Sequence, residues 1–378
     1  MSRPLVVDIH THVYPPAYMA MLRARKEVPY VHDPANSATP RLIILSSDDD
    51  PSIPIDERGR PVDSSYYDIN VKLSFMKQHG IDCSVISLAN PWLDFLAPDE
   101  AQEWAKRIND DLESTCLQVN SDTSSSQKKL FAFGTLPLSA PNPEVITNEI
   151  KRLKTLSQIR GVIMGTSGLG NGLDDPLLDP VWAALEETQQ MMFLHPHYGL
   201  PDEAFGGTET TNRYGHVLPL ALGFPLETTI AVTRMLLSGV FDRFPKLNIL
   251  LAHSGGTLPF LAGRIESCIM HERHFIANGG STPGPVRSVW DVLQTNVYLD
   301  AVVYGTAGLK AAVAAAGGST DRLMFGTDHP FFPPLNEEDE KWASVTTNYK
   351  AIQDSFGDDK GSVAAVLGGN AARVLNLN

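Results

Sequence analysis

The sequence offers little for crosslinking or anchoring the chain. Its only cysteines are Cys83, Cys116 and Cys268. They are scattered, form no C-x-x-C pair and are odd in number, so we expect reduced thiols that serve in packing. The start, MSRPLVVDIHTHVYPP, has one short apolar run interrupted by charged and imidazole side chains, and it predicts neither a signal peptide nor a membrane span. The expected compartment is the cytoplasm, without a membrane partner.

Basic residues are outnumbered by acidic ones. The chain has 30 Lys and Arg against 44 Asp and Glu, a formal net charge of −14, and no Lys/Arg-rich stripe. Strong electrostatic binding of phosphate groups is therefore not expected, and we do not expect nucleic acid as a partner. No G-x-G-x-x-G or Walker-type loop stands between a strand and a helix, so no organic cofactor is expected. A small molecule remains as the expected partner.

Short β-rich runs recur along the chain, and the segments between them are long enough for a helix. Several runs are almost continuously apolar, as in parallel strands covered on both faces, and Glu227 to Phe241 has helical periodicity. Eight βα units fit an α/β fold, a distorted (β/α)8 TIM barrel, with residues 1–378 as one domain. The predicted strands are Leu5 to Val13, Asp82 to Leu88, Leu130 to Leu138, Arg160 to Thr166, Met191 to His197, Leu247 to His253, Val297 to Val303 and Leu323 to Asp328.

Three stretches exceed what a minimal barrel needs. The longest, about residues 15–66, is rich in Pro, Asp and Arg. We expect it to form a lid over the C-terminal mouth, because long loops in compact domains are usually lids or binding loops. Residues 198–223 after the fifth strand are polar and contain Gly. Residues 278–285 read NGGSTPGP, a composition that predicts a surface loop.

Imidazole and carboxylate side chains stand at the ends of predicted strands. His10 and His12 in DIHTH are two residues apart, so both can face the barrel interior. His195 ends the fifth strand, His253 the sixth and Asp328 the eighth. In a barrel these ends meet at one mouth, where catalytic residues belong. Each residue alone is typical of a structural hydrogen bond or a turn, but the joint pattern predicts a metal site.

Five segments resemble the amidohydrolase superfamily, and more narrowly the branch of the aminocarboxymuconate-semialdehyde and γ-resorcylate decarboxylases. They are DIHTH at 8–12, FLHPH at 193–197, FPKLNILLAHSGG at 244–256, FGTDHPF at 325–331 and GGNAARVLNL near the C-terminus. The resemblance implies a non-oxidative decarboxylase. It also implies that His10, His12, His195 and Asp328 bind one divalent metal ion, with His253 close by as a second-shell or proton-handling group.

The end of the fourth predicted strand bears on the number of metal ions. Binuclear members of the superfamily bridge two metals there with a Lys or an acidic residue, whereas this chain has IRGVIMGTSG. One metal ion is therefore favoured. Three imidazoles and one carboxylate suit Zn²⁺, with Mn²⁺ as the alternative. Asp8 cannot share the face of the neighbouring histidines and is expected to be structural.

Two further segments, GRPVDSSYYD and HGIDCSVISLANPWLDFL, resemble the fungal isoorotate (5-carboxyuracil) decarboxylases, which form uracil and CO2 in thymine salvage. The resemblance implies that Arg60 and Asn90 contact oxygens of the pyrimidine or its carboxylate. Arg58 stands two residues from Arg60 and could equally reach inward. Aromatic side chains are expected to line the faces of the substrate ring, namely Trp92, Phe224 and Phe331.

The reaction expected from this resemblance is electrophilic. The metal ion binds the C5 carboxylate and the adjacent C4 oxygen, and protonation at C5 makes CO2 the leaving group. Asp328 is the first candidate for the proton donor, with His253 hydrogen-bonded to the departing carboxylate. If His253 is the acid instead, its proton needs a relay to C5. Neither oxygen nor a redox cofactor is required.

Other functions stay open at this point. A hydroxybenzoate decarboxylase, acting on γ-resorcylate or 5-carboxyvanillate, would use the same metal centre. A hydrolase of cyclic esters or amides would use Asp328 as general base for a metal-bound water. A binding protein with a structural zinc site is the third alternative. By resemblance we expect a homodimer, and the apolar stretch Met235 to Val240 predicts either an interface or a core helix.

Overall fold

The computed structural model describes residues 3–37, 39–121, 128–139, 142–169, 171–272, 284–336 and 341–377. Its strands are β1 (Val7–Val13), β2 (Tyr30–His32), β3 (Arg41–Ile43), β4 (Arg60–Pro61), β5 (Cys83–Leu88), β6 (Leu130–Thr135), β7 (Ile159–Gly165), β8 (Met191–His195), β9 (Ile249–Leu251), β10 (Val297–Asp300) and β11 (Leu323–Met324). Eight of them, β1 and β5 to β11, form one parallel sheet in chain order. These eight coincide with the eight predicted segments, so the predicted barrel is confirmed.

The sheet curves round until its last strand meets its first. The N–H of Ile9 donates to the carbonyl of Phe325 at 3.1 Å, and the N–H of His12 donates to the carbonyl of His329 at 2.8 Å. Thr11 and His329 form an isolated parallel bridge. We call this contact between β1 and the chain through and after β11 the seam of the barrel. Backbone hydrogen bonds cross the seam, but few residues there pair as in a regular β-ladder.

Helices surround the barrel. They are α1 (Pro16–Ala24), α2 (Ser64–Tyr67), α3 (Ile69–His79), α4 (Pro98–Ser121), α5 (Pro143–Thr155), α6 (Asp179–Thr188), α7 (Thr208–Tyr214), α8 (Phe224–Leu237), α9 (Val240–Arg243), α10 (Leu258–His271), α11 (Val289–Thr295), α12 (Thr306–Ala315), α13 (Ala343–Phe356), α14 (Lys360–Ala364) and α15 (Asn370–Val374). Local sequence sets their ends. The carboxylate of Asp68 accepts the N–H of Asn70 at the start of α3, and Gly80 ends that helix with φ 69°.

The long insertion folds into its own small sheet. Strands β2, β3 and β4 pair antiparallel, with Leu42 opposite both Val31 and Arg60. A hydrogen bond of 2.7 Å from the N–H of Tyr14 to the carbonyl of Tyr66 closes the base of the insertion. The sheet thus has a defined position at the C-terminal end of β1, and it brings Arg60 back towards the barrel.

The stretch after the fifth barrel strand, which exceeds a minimal barrel, is partly helical. Residues 198–223 contain α7 and a π-helical segment, Val217–Gly223, that runs directly into α8. The apolar part of the stretch, VLPLALG, leads into the helix, whereas the polar start carries no clear periodicity that would indicate one. The predicted loop at 278–285 lies largely outside the described residues.

Most buried apolar side chains belong to one cluster that fills the barrel and the layer beneath the helices. Among the described residues, Val217–Leu237 is the helix long and apolar enough to cross a membrane, with hydropathy 1.3. Its inner side packs on the barrel through Val232 and Met235, both fully buried. Val240 is buried in the same way, so core packing accounts for the apolar residues Met235, Leu236 and Val240 of this stretch.

Candidate metal centre and active site

Four side chains converge where the predicted metal site should be. His10 and His12 extend from β1, His195 ends β8, and Asp328 lies after β11. Each offers one ligand atom, these atoms lie within 4.8 Å of one another, and all four residues are buried. The structure therefore brings together the predicted ligand set at the C-terminal mouth of the barrel.

Hydrogen bonds orient the imidazoles of β1. The Nδ1 atom of His10 lies 2.5 Å from Oδ2 of Asp300. The Nδ1 atom of His12 lies 3.1 Å from the hydroxyl of Ser87, which donates to a backbone carbonyl and so accepts from the ring. Each ring therefore carries its proton on Nδ1 and directs the lone pair of Nε2 inward.

A backbone group orients the ring of His195 in the same way: its Nδ1 donates to the carbonyl of Pro196 at 2.8 Å. The inward-facing atoms are buried and have no hydrogen-bond partner within the described part of the chain: Nε2 of His10, Nε2 of His12, Nε2 of His195 and Oδ1 of Asp328. Buried polar atoms are costly when unpaired. The inner atoms lie close to one another, with Oδ1 of Asp328 3.2 Å from Nε2 of His10 and 3.6 Å from Nε2 of His12. Three imidazoles held at their outer nitrogens and one carboxylate, with their inner atoms this close together, suit a divalent metal ion.

The charges of these groups support the same conclusion. Burial lowers the pKa of His12 to about 4 and holds that of His195 well below its ordinary value, so both rings are neutral at pH 7. Burial opposes protonation of His10 too, but the carboxylates of Asp328 and Asp300 outweigh it and raise its pKa to about 10. Without a cation at the centre His10 therefore carries a second proton, which a bound metal ion would displace from Nε2. The imidazoles outweigh burial at Asp328, and its pKa lies well below the usual range. Asp328 is therefore an ionised ligand.

Asp300 is a site residue that the sequence patterns did not single out. It is fully buried at the end of β10. Besides His10 it accepts the N–H groups of His253 at 3.0 Å, Ser254 at 2.8 Å and Val302 at 3.0 Å. One carboxylate thus fixes both a metal ligand and the turn that carries His253. An acidic residue at the end of an apolar strand, VYLD, was the available signal.

Glycines allow the close packing behind the ligands. Gly165, the last residue of the fourth barrel strand β7, pairs with His195 in the parallel register. It has no side chain to offer, which fits one metal ion. Behind the other ligands, a Cβ on Gly326 would lie 2.7 Å from the Cβ of His10. The FGTDHP motif therefore needs glycine at its second position.

Asp8 has the structural role expected of it. Its carboxylate accepts the hydroxyl of Thr327 at 2.7 Å and the N–H of Thr327 at 3.1 Å across the seam. Burial raises its pKa to about 6, although the bonds to Thr327 oppose that shift. Asp8 points away from the ligand atoms and joins the strands on either side of the seam.

His253 stands beside the metal ligands without being one of them. It begins a tight turn after β9 and has φ 53°. Its Nε2 lies 3.7 Å from Oδ2 of Asp328. A left-handed backbone at a residue other than glycine is costly, and its occurrence at His253, Ser254, Tyr304 and Asp328 marks the mouth as a strained region typical of functional sites.

The structure distinguishes the two arginines of the insertion. Arg58 forms an ion pair of 2.8 Å with Asp49 in the insertion itself. Arg60 points towards the mouth, where its Nη2 donates to the hydroxyl of Tyr14 at 3.0 Å. Its guanidinium carbon lies 5.3 Å from the centre of the Phe331 ring. The buried Nε of Arg60 has no partner, and no carboxylate pairs with Arg60 in the described ranges.

Asn90 and Trp92 form the wall after β5. The amide of Asn90 donates to the carbonyl of His197 at 2.7 Å, which ties the loops after β5 and β8 together. The ring of Trp92 is buried, and its centre lies 5.8 Å from that of His195. Glu227, which sequence reasoning did not select, supports the same loop by accepting the N–H of Gly199 at 2.7 Å.

The other two predicted aromatic residues flank the ligands. The ring of Phe331 lies 5.7 Å from that of His12, in an edge-to-face arrangement. The ring of Phe224, at the start of α8, lies 6.4 Å from that of His195. Both are partly exposed, so an apolar wall faces the mouth on two sides. Three of the residues predicted to contact substrate thus lie next to ligand rings, namely Trp92, Phe224 and Phe331.

Comparison with known proteins agrees with this geometry. The amidohydrolase family matches residues 7–377. The chain is 25% identical over 382 residues to the 2-amino-3-carboxymuconate-6-semialdehyde decarboxylase of Dictyostelium discoideum, covering 100% of this chain and 93% of that protein. It is 29% identical over 297 residues to the gamma-resorcylate decarboxylase of Rhizobium radiobacter, covering 76% and 84%.

Among solved structures, the apo form of the isoorotate decarboxylase (IDCase) of Metarhizium anisopliae superposes with a TM-score of 0.89. The two sequences are 49% identical, and the match covers 99% of this chain and 98% of that one. These relatives are carboxy-lyases, which removes the grounds for a hydrolase or a structural zinc protein. The chain belongs to the amidohydrolase superfamily and is one of its metal-dependent decarboxylases.

Proposed function

We propose that the protein converts isoorotate (5-carboxyuracil) to uracil and CO2, a step of pyrimidine salvage in the cytoplasm. The observation that carries the proposal is Arg60, a cation without a carboxylate partner in the described chain, held at the rim of the metal centre. An unpaired cation in a partly buried site is suited to an anionic ligand. The likeness to the Metarhizium anisopliae enzyme supports the choice of isoorotate.

The residues around the centre suit this chemistry. A divalent ion, held by the three imidazoles and Asp328, supplies a Lewis acid for substrate oxygens. Arg60 and Asn90 contact the carboxylate or the ring oxygens, and the aromatic wall holds the ring flat. The bond from C5 to the carboxyl carbon breaks and a C5–H bond forms, so each turnover takes up one proton.

Asp328 is the proposed donor of that proton to C5. Its carboxylate is ionised at rest, because the imidazoles hold its pKa far below the usual range. It must therefore be protonated within the catalytic cycle. His253, with its Nε2 3.7 Å away, is the adjacent group that can pass a proton to it and hydrogen-bond the departing carboxylate.

The direct test is turnover by purified protein of known metal content. We expect uracil from isoorotate, followed by absorbance and chromatography, and little CO2 from 2,6-dihydroxybenzoate or 5-carboxyvanillate. Arg60→Met should lower kcat/KM by about 100-fold, since a charged hydrogen bond contributes about 1.5–3 kcal/mol. Its control is Arg58→Met, which removes a neighbouring arginine that faces away and should stay within about twofold of wild type. Equal losses in both variants would contradict the assignment of Arg60.

Asn90→Ala tests the polar edge of the pocket separately. We expect isoorotate turnover to fall by at least about tenfold while the metal content stays unchanged, because a site built to hydrogen-bond a polar ring discriminates through those bonds. Unchanged kinetics on isoorotate would remove Asn90 from the site.

A hydroxybenzoate decarboxylase is the second candidate. Three aromatic side chains around the centre suit a benzoate ring as well as a pyrimidine, and the relative from Rhizobium radiobacter is a gamma-resorcylate decarboxylase. In that case the protein would release CO2 from a dihydroxybenzoate and form no uracil. That result would support decarboxylation as the reaction but contradict isoorotate as the substrate.

The metal and the assembly complete the proposal. We propose one Zn²⁺ per chain, because three imidazoles and one carboxylate suit zinc, with Mn²⁺ as the alternative. Metal analysis of protein purified without added metal decides between them. We also propose a homodimer. A dilution series followed by light scattering should give twice the chain mass of 41.2 kDa, and a constant monomer mass would exclude it.

A further inference from the structure

A buried lysine lies behind the metal centre and takes no part in the proposed reaction. Lys72, on α3, is fully buried. Its Nζ contacts the hydroxyl of Thr11 at 2.6 Å and Nδ1 of His329 at 2.5 Å. No carboxylate lies within ion-pair distance of Nζ in the described ranges of the chain. Burial lowers the pKa of Lys72 to about 7, against the more distant carboxylates of Asp8 and Asp328, which favour its charged form. Burying an amine with so little charge compensation is costly, so an apolar side chain would be favoured here if packing were its only purpose.

The two partners of Lys72 lie on opposite sides of the seam. Thr11 stands between the two histidine ligands of β1, and His329 directly follows the ligand Asp328. Besides the contacts to Nζ, the hydroxyl of Thr11 donates to the carbonyl of His329 at 3.2 Å. Lys72 thus contacts the two residues that are direct sequence neighbours of three of the four metal ligands, His10, His12 and Asp328.

The ring of His329 is also fixed from the side away from the mouth. Its centre lies 3.8 Å from that of Phe75, which is on the same helix as Lys72, and 4.5 Å from that of Trp342. Helix α3 therefore supplies both an apolar contact and a hydrogen-bonding contact to the residue next to Asp328. The ring stack positions His329 from one side. Lys72 links the imidazole of His329 to the side chain of Thr11 on β1, beside the hydrogen bonds that the His329 carbonyl accepts from the same strand.

We infer that Lys72 is a positioning residue for the metal centre: it connects β1 with the segment after β11 and so holds two histidine ligands and Asp328 at a common distance. Removing it leaves every ligand present but loosens their relative placement. Metal affinity falls as a result, because groups behind the ligands typically contribute 10–100-fold to binding. The inference does not depend on which carboxylate is the substrate.

The test compares Lys72→Met, which keeps the length of the side chain and removes its donors, with Lys77→Met. Lys77 lies on the same helix and is exposed. Zn²⁺ affinity is measured on apoprotein by competition with a chromophoric chelator, and the visible spectrum of the Co²⁺-loaded protein reports ligand geometry. We expect Lys72→Met to bind Zn²⁺ about 10–100-fold more weakly and to show a shifted Co²⁺ spectrum. Lys77→Met should match the wild type in both measurements.

A lysine that only fills space predicts a different result. It would lower thermal stability in Lys72→Met but leave the Co²⁺ spectrum and the Zn²⁺ affinity of the folded protein unchanged, and that outcome would overturn the inference. Thr11→Val provides a second variant, because it removes one contact of Nζ and keeps the lysine. We expect a smaller loss of Zn²⁺ affinity in the same direction. Should Lys72→Met fail to fold, wild-type affinity in Thr11→Val would be sufficient to reject the role.

Discussion

At the scale of single residues, the metal centre depends on which nitrogen of each imidazole carries a proton. Three different oxygen atoms, from Asp300, Ser87 and Pro196, hold the three Nδ1 atoms. Because each outer nitrogen donates to one of these oxygens, the inner nitrogen of each ring is the one directed at the metal position. The strongest of these contacts is ionic, since Asp300 also raises the pKa of His10.

Asp300→Asn tests that contact. The amide keeps the shape of the side chain but loses the charge, and its NH2 group cannot accept from the backbone N–H groups that Asp300 serves. We expect metal affinity to fall by about 10–100-fold, measured by chelator competition. Asp291→Asn, an exposed aspartate on α11, is the control and should bind metal as the wild type does. Equal affinity in the two variants would show that the Asp300 carboxylate is dispensable.

The hydroxyl of Tyr14 connects two parts of the pocket, and sequence patterns did not select it. It accepts from Arg60 and donates to the carbonyl of Asn90 at 2.8 Å. Tyr14→Phe removes only this oxygen. On the proposed substrate we expect KM to rise about fivefold with kcat within about twofold, since one hydrogen bond contributes about 1 kcal/mol. Steady-state kinetics on isoorotate measure both constants, and a change confined to kcat would contradict a binding role.

At the scale of elements, the site depends on close contact across the seam. Because β11 is short, the barrel is closed mainly by the chain that follows it. There the N–H of Asp328 donates to the carbonyl of His10 at 2.8 Å. Such an approach requires small side chains between the strands. The site also depends on the insertion, because the small sheet of β2, β3 and β4 brings Arg60 to the mouth.

Gly326→Ala tests the seam directly. The added methyl group would lie 2.7 Å from the Cβ of His10 and 2.9 Å from Cγ2 of Val302. We expect the free energy of unfolding to fall by about 1–3 kcal/mol, measured in urea. Gly263→Ala is the control: Gly263 lies inside α10 with its nearest neighbour at 3.5 Å. There alanine should stabilise the helix by about 0.5–1 kcal/mol. If Gly326→Ala left the free energy of unfolding unchanged, the seam would tolerate a wider spacing between its strands.

At the scale of the whole molecule, one apolar core supports a polar site at one end. The core does not include the ligand atoms, so the barrel should fold without metal. The single domain over residues 1–378 stays a prediction, as does the compartment. Both the apo and the metal-loaded protein should therefore unfold in one step.

Metal removal tests this expectation. Dialysis against a chelator should abolish decarboxylation and lower Tm, because a ligand that binds only the folded state stabilises it. One equivalent of Zn²⁺ should restore both. Calorimetry should show one transition in each form, and two separate transitions would contradict a single domain. Residual turnover without metal would contradict the proposed role of the ion.

The sequence by itself determined the eight strands and the polar groups at their ends, because both follow from local patterns: apolar runs, two-residue alternation in DIHTH and side chains at strand ends. The resemblance to the amidohydrolases then separated the four ligands from His253. Only the tertiary structure decided that Arg60, and not Arg58, reaches the mouth. It also decided that Asp300 holds His10 and that Lys72 connects the strands of the seam. These contacts join residues far apart in the chain, so they depend on which elements become neighbours, which no local pattern records.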